Sequence, residues 1–159
     1  MGANSDYLDL FRELNEGSVR FLVVGGYAVI FHTEPRYTKD VDVWVEPSAE
    51  NANRVFAALQ AFGAPLEGVR PQDFTDTHLI YQIGVEPNRI DVIMGVPGLD
   101  FAPAYERANR ASYGSQPIRV LSLDDLVSSK KAAARPQDLV DVERLEEKLR
   151  TLGPKKNSS

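Results

Sequence analysis

The strongest constraint on the fold is the segment VRFLVV at residues 19–24, which runs directly into Gly25-Gly26. Every side chain from position 21 to position 24 is apolar, which predicts a central strand covered on both faces. Glycine tolerates a positive φ and leaves its backbone N–H groups bare, and the apolar residues 27–31 can start a helix. The sequence therefore predicts a helix N-terminus, with free amides and a positive dipole end, beside a strand end. Such a place is suited to phosphate.

A second strand is predicted at residues 40–46, DVDVWVE, where apolar and polar residues alternate strictly. Residues two apart on a strand point the same way and lie roughly 6.6 Å apart. The carboxylates of Asp40 and Asp42 therefore converge, and their repulsion favours a cation between them. Mg²⁺ is usually held by one or two carboxylates, with substrate phosphates completing its shell. The pattern predicts a metal-binding strand one short helix after the phosphate-binding turn.

A third acid, Asp91, lies in the second of two apolar runs, 79–85 and 89–96, whose Glu-Pro-Asn connection predicts a hairpin. Alternation places Asp91 among apolar neighbours, where an uncompensated carboxylate is costly. A metal shared with the two earlier acids would compensate it. A salt bridge to Arg89 or Arg36 would do the same, and both interpretations stay open.

The motif Gly25-Gly26, followed by Arg36-x-Thr38-x-Asp40-x-Asp42, resembles the signature of the DNA polymerase beta-type nucleotidyltransferase superfamily. That signature places Gly-Gly or Gly-Ser after the first strand, Asp-x-Asp on the second strand and a third carboxylate on a later one. The form found here is more similar to small stand-alone members, including AbiE-type and minimal nucleotidyltransferase proteins of toxin–antitoxin systems, than to polymerases.

The resemblance implies a Mg²⁺-dependent enzyme that transfers a nucleoside monophosphate from a nucleoside triphosphate (NTP), such as ATP, to a hydroxyl of an RNA, a protein or a small molecule. Asp40, Asp42 and Asp91 would be the catalytic acids and would hold two Mg²⁺ ions. An alternative is a catalytically silent protein of the same fold, which binds nucleotide as an antitoxin or scaffold. A purely structural cation site is a further alternative. The resemblance assigns to the nucleotide Gly25, Gly26, Arg36, Thr38 and Lys130.

Lys130 begins the pattern Lys130-x4-Arg135-x2-Asp138-x2-Asp141, which is similar to a Lys…Arg-x-x-Asp element near the end of several small nucleotidyltransferases. In those proteins the basic residue is thought to face the triphosphate. Ordinary helix-end and surface charges explain the same residues, because the two acids lie near the start of a predicted helix. The sequence favours neither interpretation.

The expected fold is α/β (α+β), with a small mixed sheet covered by helices on one face and a C-terminal helical hairpin. The open face would carry the three acids. Gly17 is predicted to end the first helix in the left-handed conformation. Residues 1–153 form one predicted domain and 154–159 a disordered tail. Amphipathic patterns and capping residues predict helices at 5–16, 48–62, 123–134 and 136–152, a short helix around 103–108 at the end of a 97–111 segment, and a strand at 116–121.

Three further side chains have two interpretations each. Trp44 shares the face of Asp40 and Asp42, so it could stack on a base, but packing under the C-terminal helices is the favoured interpretation for this aromatic side chain. His32 and His78 are the only histidines. A catalytic role is one interpretation for them, and an ordinary structural role is the favoured one.

The net charge of −5 limits the choice of acceptor. Even without the three proposed metal ligands the chain keeps a small negative charge. Such a chain is poorly suited to bind a long nucleic acid such as tRNA, whose phosphates need Lys and Arg. An RNA or protein acceptor would need help from a partner protein or a second copy of the chain. Otherwise the acceptor must fit a cleft between the sheet and the helical hairpin. The sequence contains no run long and apolar enough for a membrane span and no signal-peptide pattern, so we expect a cytoplasmic protein.

Overall fold

The computed structural model describes residues 4–33, 40–85 and 88–152, which form one mixed sheet with helices packed against it. The helices are α1 (Ser5–Glu16), α2 (Gly25–His32), α3 (Ala49–Phe62), α4 (Phe101–Arg107), α5 (Leu123–Ala133) and α6 (Pro136–Leu152), with a 3-10 helix at Pro71–Thr75. The strands are β1 (Phe21–Val24), β2 (Val41–Val45), β3 (Ile80–Ile83), β4 (Ile90–Ile93), β5 (Asn109–Tyr113) and β6 (Gln116–Val120). The strand order is β3-β4-β2-β1-β6-β5. The predicted fold class is confirmed.

The strand pairing brings the ends of β1, β2 and β4 together. Strand β1 runs antiparallel to β2, with Val24 opposite Asp42. Strand β2 runs parallel to β4, with Asp42 opposite Asp91. Strands β3 and β4 form the predicted antiparallel hairpin. On the other side of the sheet, β1 pairs with β6 in parallel through Val23 and Val120. Asp42 therefore lies between the last residue of β1 and the acid of β4.

Side-chain caps explain where three of the helices begin. The Asn4 carboxamide oxygen accepts hydrogen bonds from the first backbone amides of α1, and the hydroxyls of Ser48 and Ser122 do the same for α3 and α5. Helix α3 ends at Gly63, whose φ of 96° is left-handed. These helices match the predicted ranges to within a residue because amphipathic periodicity and capping agree.

The prediction that Gly17 takes the left-handed conformation is wrong. Gly17 has a φ of −83°, and its N–H bonds to the carbonyl of Glu13, so it continues the helical turn. The left-handed residue is Ser18, with a φ of 57°. The N–H of Val19 then reaches back to the carbonyl of Leu14, which closes the turn one residue later than predicted.

The two faces of the sheet are covered differently. Helix α1 packs on one face, where Phe11 stacks on Phe21 with ring centroids 6.0 Å apart. On the other face, Phe101 of α4 meets Trp44 edge-on at 5.2 Å. Trp44 is 1% exposed. It is therefore not available to stack on a base, and its aromatic contact is with α4 rather than with the C-terminal helices. The open part of this face lies at the end that carries Asp42.

Strand β5 was not predicted, because residues 97–111 were expected to be a loop followed by a short helix. The helix ends at Arg107, and Asn109 starts a strand that pairs antiparallel with β6, with Ala111 opposite Ile118. Four of its residues, NRAS, lack the large apolar side chains that mark a strand, and it lies at the edge of the sheet. Its identity as a strand comes from its partner rather than from its own pattern.

Several sequence predictions fall outside the described residues. These are Arg36 and Thr38 in the 34–39 connection, part of the β3–β4 turn, and the 154–159 tail. None of the described helices is long and apolar enough to cross a membrane.

Candidate active site

The site begins where β1 passes into α2 without a loop. Gly25 is the first residue of α2, two positions earlier than predicted, and has a φ of +66°. Among the residues that the structure describes, no side chain caps this helix, and its first turn contains no acid. The first amides of α2 are thus left for an anion, as expected at a helix N-terminus.

The two glycines are not equivalent. A Cβ on Gly25 would overlap the carboxylate of Asp42, whose Cγ would be only 2.7 Å away. A Cβ on Gly26 would meet no atom of the described residues within 4 Å. The bare backbone of Gly25 therefore lets the Asp42 carboxylate lie against the start of α2. Gly26 is not required by sterics, which agrees with the alternation of Gly-Gly and Gly-Ser in the motif that it resembles.

Asp42 and Asp91 form the central pair of acids. They are direct partners in the parallel β2–β4 pairing, so both side chains leave the same face of the sheet. The pKa of Asp42 is raised to about 6, mainly by burial and then by the neighbouring carboxylates of Asp91 and Asp40, against a lowering contribution from Arg89. Two carboxylates held this close share a proton or a cation, because both cannot remain ionised without one.

Asp40 is joined to this pair through Arg89. The backbone N–H of Arg89 donates to Asp40 Oδ1 at 3.2 Å, and the guanidinium lies 3.8 Å from Asp40 Oδ2. The same guanidinium donates from Nε to Asp91 Oδ1 at 3.0 Å. The salt bridge that the sequence offered as an alternative for Asp91 is therefore present. Arg89 also reaches Asp40, which the sequence analysis did not foresee.

The donor set at the acid pair fits a hard divalent cation. Asp42 and Asp91 present carboxylate oxygens from adjacent strands, and after burial the negative charge of Asp91 is the next cause of the raised pKa of Asp42. Mg²⁺ in proteins is commonly held by two such carboxylates with waters and phosphates around it. Within the described ranges, no group of three or more His, Cys, Asp or Glu side chains is arranged to hold a metal. A set of three acids around two ions stays a prediction.

A cleft of about 590 Å³ extends from the acid pair to the C-terminal hairpin. Gly25, Asp42 and Asp91 line it on the sheet side, and Lys130 and Arg135 line it on the hairpin side. The sequence left the role of Lys130 open between phosphate binding and plain surface charge. In the structure Lys130 lines the cleft that contains the acids, and its side chain is 16% exposed.

A buried carboxylate holds the two cations of the hairpin. Asp138 is 0% exposed and accepts hydrogen bonds from Arg135 Nε at 2.6 Å, from the Arg135 backbone N–H at 3.2 Å and from Lys130 Nζ at 3.4 Å. These bonds, with the one from the Arg135 side chain foremost, lower the pKa of Asp138. Lys130 also pairs with Asp141 at 3.1 Å. Asp138 thus orients Lys130 and Arg135 as a unit.

The two histidines differ in their contacts and in their exposure to solvent. His32 Nε2 lies 2.8 Å from the carbonyl oxygen of Leu121, and burial lowers the pKa of its imidazole. This contact ties the end of α2 to the chain after β6. His78 lies just before β3, lines the cleft and has a side chain that is 94% exposed. The ordinary structural role fits His32, and His78 is placed where a ligand of the cleft could reach it.

Comparison with known proteins agrees with this geometry. Residues 6–150 match the family described as "Nucleotidyltransferase of unknown function (DUF6036)". Among curated proteins, no sequence matches this chain.

Solved structures show the same fold at low sequence identity. The lincomycin-bound lincosamide antibiotic adenylyltransferase LnuA is 12% identical, with a TM-score of 0.58 over 91% of this chain and 97% of that one. The antibiotic-resistance factor ANT(2'')-Ia is 13% identical, with a TM-score of 0.58 over 94% and 83% of the two chains. A putative nucleotidyltransferase of Thermotoga maritima is 14% identical, with a TM-score of 0.56 over 94% and 96%.

Proposed function

This chain belongs to the DUF6036 family of nucleotidyltransferases, and from that premise we propose that it transfers a nucleoside monophosphate from an NTP to a hydroxyl group. The observation that carries the proposal is the Asp42–Asp91 pair, which shares one cleft with the uncapped start of α2 and with Lys130 and Arg135. The paired acids could hold the metal ion of a triphosphate, and the start of α2 and the cations of the hairpin could bind its phosphates.

The residues of the chain have distinct roles in this proposal. The first amides of α2 hold the β- and γ-phosphates, and Lys130 and Arg135 neutralise their charge from the hairpin. A divalent cation at the acid pair supplies, when bound, Lewis-acid charge next to the phosphates. The acceptor oxygen forms a bond to the α-phosphorus while the bond from that phosphorus to the pyrophosphate oxygen breaks.

The acid pair also receives the proton of the acceptor hydroxyl. In the structure the raised pKa belongs to Asp42, which is in contact with Asp91, so the proton is shared by the pair.

A small molecule is the acceptor class that we favour over RNA and protein. The similar structures include a lincomycin-bound lincosamide antibiotic adenylyltransferase and a complex of ANT(2'')-Ia with adenylyl-2''-tobramycin, and the bound molecule is small in both. The acidic charge of this chain also disfavours a long nucleic acid. We therefore propose ATP as the first donor to test and a small alcohol as the first acceptor class. Membership of a toxin–antitoxin pair is a separate proposal, which co-purification with a second protein would test.

One observation favours the alternative of a nucleotide-binding protein without turnover. The Arg89 guanidinium already pairs with Asp91 at 3.0 Å, so a cation of the protein itself partly compensates the acid. A silent scaffold of this kind would bind NTP and yet yield no transfer product. Binding and transfer assays on the same sample separate the two functions.

Mg²⁺-dependent nucleotide binding is the first expected result. Calorimetry with ATP, CTP, GTP and UTP should give saturable binding of at least one of them in Mg²⁺, because the acid pair repels a triphosphate that arrives without a cation. Binding should weaken strongly in EDTA. If no NTP binds to protein whose folding is verified by circular dichroism, the proposed function is wrong.

Substitution of the hairpin cations should weaken NTP binding without unfolding the protein. A charge-assisted contact to phosphate is worth about 1.5–3 kcal/mol, so Lys130→Ala and Arg135→Ala should each lower the affinity by about tenfold or more and reduce its salt dependence. Lys131→Ala is the matched control, because Lys131 pairs with Glu146 at 2.7 Å and is not among the residues that line the cleft. Parental affinity in both cleft variants would restrict the nucleotide site to α2 and the acids.

A further inference from the structure

A second groove, of about 520 Å³, adjoins the cleft of the acid pair. The two share a wall formed by Thr77 and residues 95–97. We call the second one the Trp44 groove, and its remaining lining residues are Trp44, Pro47, Met94, Leu99, Asp100 and Phe101. Lys130 and Arg135 line only the first cleft. The phosphate-attracting cations and the Trp44 groove therefore lie in different compartments that meet at the end of β4.

Strand geometry places the Trp44 groove next to the acids. Trp44 follows Asp42 by two residues on β2, so the two side chains leave the same face of the sheet roughly 6.6 Å apart. Their partners on β4 are Ile93 and Asp91 in the same order. Phe101 fixes the indole edge-on and thereby makes the groove floor rigid. Trp44 is thus one strand step from the acid pair, and a ligand in the groove reaches that pair past the shared wall of Thr77 and residues 95–97.

The chemistry of the groove wall excludes highly charged occupants. Among the described residues that line it there is no Lys or Arg, and Asp100 is the single charged side chain. A nucleic-acid chain needs several cations for its phosphates, and a compound with many amines needs several acids. The other lining side chains are mostly aromatic or aliphatic, which suits a ring or chain of carbon atoms.

The floor contains one unsatisfied polar group. The indole Nε1–H of Trp44 is buried and has no hydrogen-bond partner among the described residues. Buried donors of this kind are uncommon, because each one costs free energy until a partner is supplied. Because the indole N–H is buried, a ligand oxygen would have to displace the side chains that cover it to become that partner.

We infer that the Trp44 groove holds the acceptor of the transfer, and that this acceptor is a small hydroxylated molecule with an apolar ring or chain and at most one cationic group. The inference rests on the proposed nucleotidyl transfer and adds the acceptor class to it. The hydroxyl of the acceptor points toward Asp42 and Asp91, and the triphosphate lies between α2 and Lys130. The hydroxyl oxygen bonds to the α-phosphorus, its proton passes to the acid pair, and pyrophosphate leaves with the electrons of the broken bond.

Fluorescence tests this inference directly, because Trp44 is the only tryptophan in the chain. The probes are 2-phenylethanol as a neutral alcohol with an apolar ring, tobramycin as a polyamine, and a short single-stranded RNA. We expect 2-phenylethanol to change the Trp44 emission in a saturable way. Leu99→Arg should weaken that response by about tenfold or more, because it places a charge where apolar surface is now buried. Val140→Arg, at an exposed position of α6, should leave it unchanged.

Calorimetry with Mg²⁺ and ATP on the same variants separates the acceptor site from the nucleotide site. ATP affinity should stay at the parental value in Leu99→Arg. The inference is overturned if 2-phenylethanol gives no saturable response. It is also overturned if tobramycin or RNA, and not the neutral probe, gives a response that Leu99→Arg weakens. Loss of ATP binding in Leu99→Arg would overturn it as well. Failure of the parent protein to bind any NTP would instead overturn the proposed function.

Discussion

Asp42→Asn should abolish nucleotidyl transfer and at the same time make the metal-free protein more stable. The substitution removes one of the two oxygen donors for the cation and the group that shares the acceptor proton. Loss of a general base alone costs about 10²–10⁴-fold, so no product should be detectable above background. The fold should persist, because an amide fits the same half-buried position on β2 with less repulsion from Asp91.

The gain in stability has a defined pH dependence. The pKa of Asp42 rises from 3.8 to about 6 on folding, so the folded state holds the proton more tightly than the unfolded state. The contribution of this group to the free energy of unfolding therefore falls as the pH rises through that window and is lowest above pH 6. At about 1.4 kcal/mol for each pKa unit, Asn at this position should stabilise the protein at pH 7 by at most about 3 kcal/mol. Below about pH 4 the difference should vanish.

Thermal unfolding in EDTA between pH 4 and pH 8 measures this effect. Asp125→Asn is the matched control, because Asp125 is a buried acid with a structural partner: it accepts two hydrogen bonds from Arg107, both at 2.9 Å. That variant should melt at a lower temperature than the parent. A lower melting temperature for Asp42→Asn as well, or transfer activity retained by it, would show that Asp42 is a structural acid.

Gly25→Ala should disrupt the site far more than Gly26→Ala, although the two residues are adjacent. A methyl group at position 25 overlaps the Asp42 carboxylate and forces alanine into a left-handed φ. The carboxylate must move by about an ångström, and a displacement of this size at a reacting group costs about 10²-fold in rate. At position 26 the methyl group enters open space inside a helix, where alanine is favoured over glycine.

Transfer rates and melting temperatures of the two glycine variants check this contrast. We expect Gly26→Ala to stay within a few-fold of the parent in rate and to melt at the same or a slightly higher temperature. Equal loss of activity in both variants would mean that the bare backbone of the turn, rather than the position of Asp42, is what the site requires.

Local pattern was sufficient to predict most helices and the face on which each acid lies. Helices α3 and α5 were predictable because their N-caps and apolar stripes agree, and the alternation on β2 and β4 gave the correct orientation of Asp42 and Asp91. Which residues pair across strands depends on strand order, which single-strand patterns do not contain. The sequence therefore predicted that the side chains of Asp42 and Asp91 lie on one face of the sheet, but not that the two residues are direct partners. Strand β5 shows the same limit, since its partner defines it.

The site contains two arrangements that the sequence could not specify. Asp138 lies in the first turn of α6, where acids are usually solvated, and its complete burial follows from the packing of α6 against α5. Arg89 links Asp40 to Asp91 only because β2 and β4 are adjacent parallel strands, so that the residues just before them are neighbours. The assignments of Arg36 and Thr38 stay predictions, because both lie outside the described residues.

The most direct test of nucleotidyl transfer is incubation of the protein with Mg²⁺, a cell extract, and ATP labelled at either the α- or the γ-phosphate. The α-label should enter a new small-molecule product, the γ-label should appear only in pyrophosphate, and EDTA or Asp42→Asn should prevent both. The other three NTPs, labelled in the same way, identify the preferred donor. Nucleotidyl transfer would be contradicted if the γ-label entered the product. It would also be contradicted if protein that binds the NTPs transferred the α-label from none of the four.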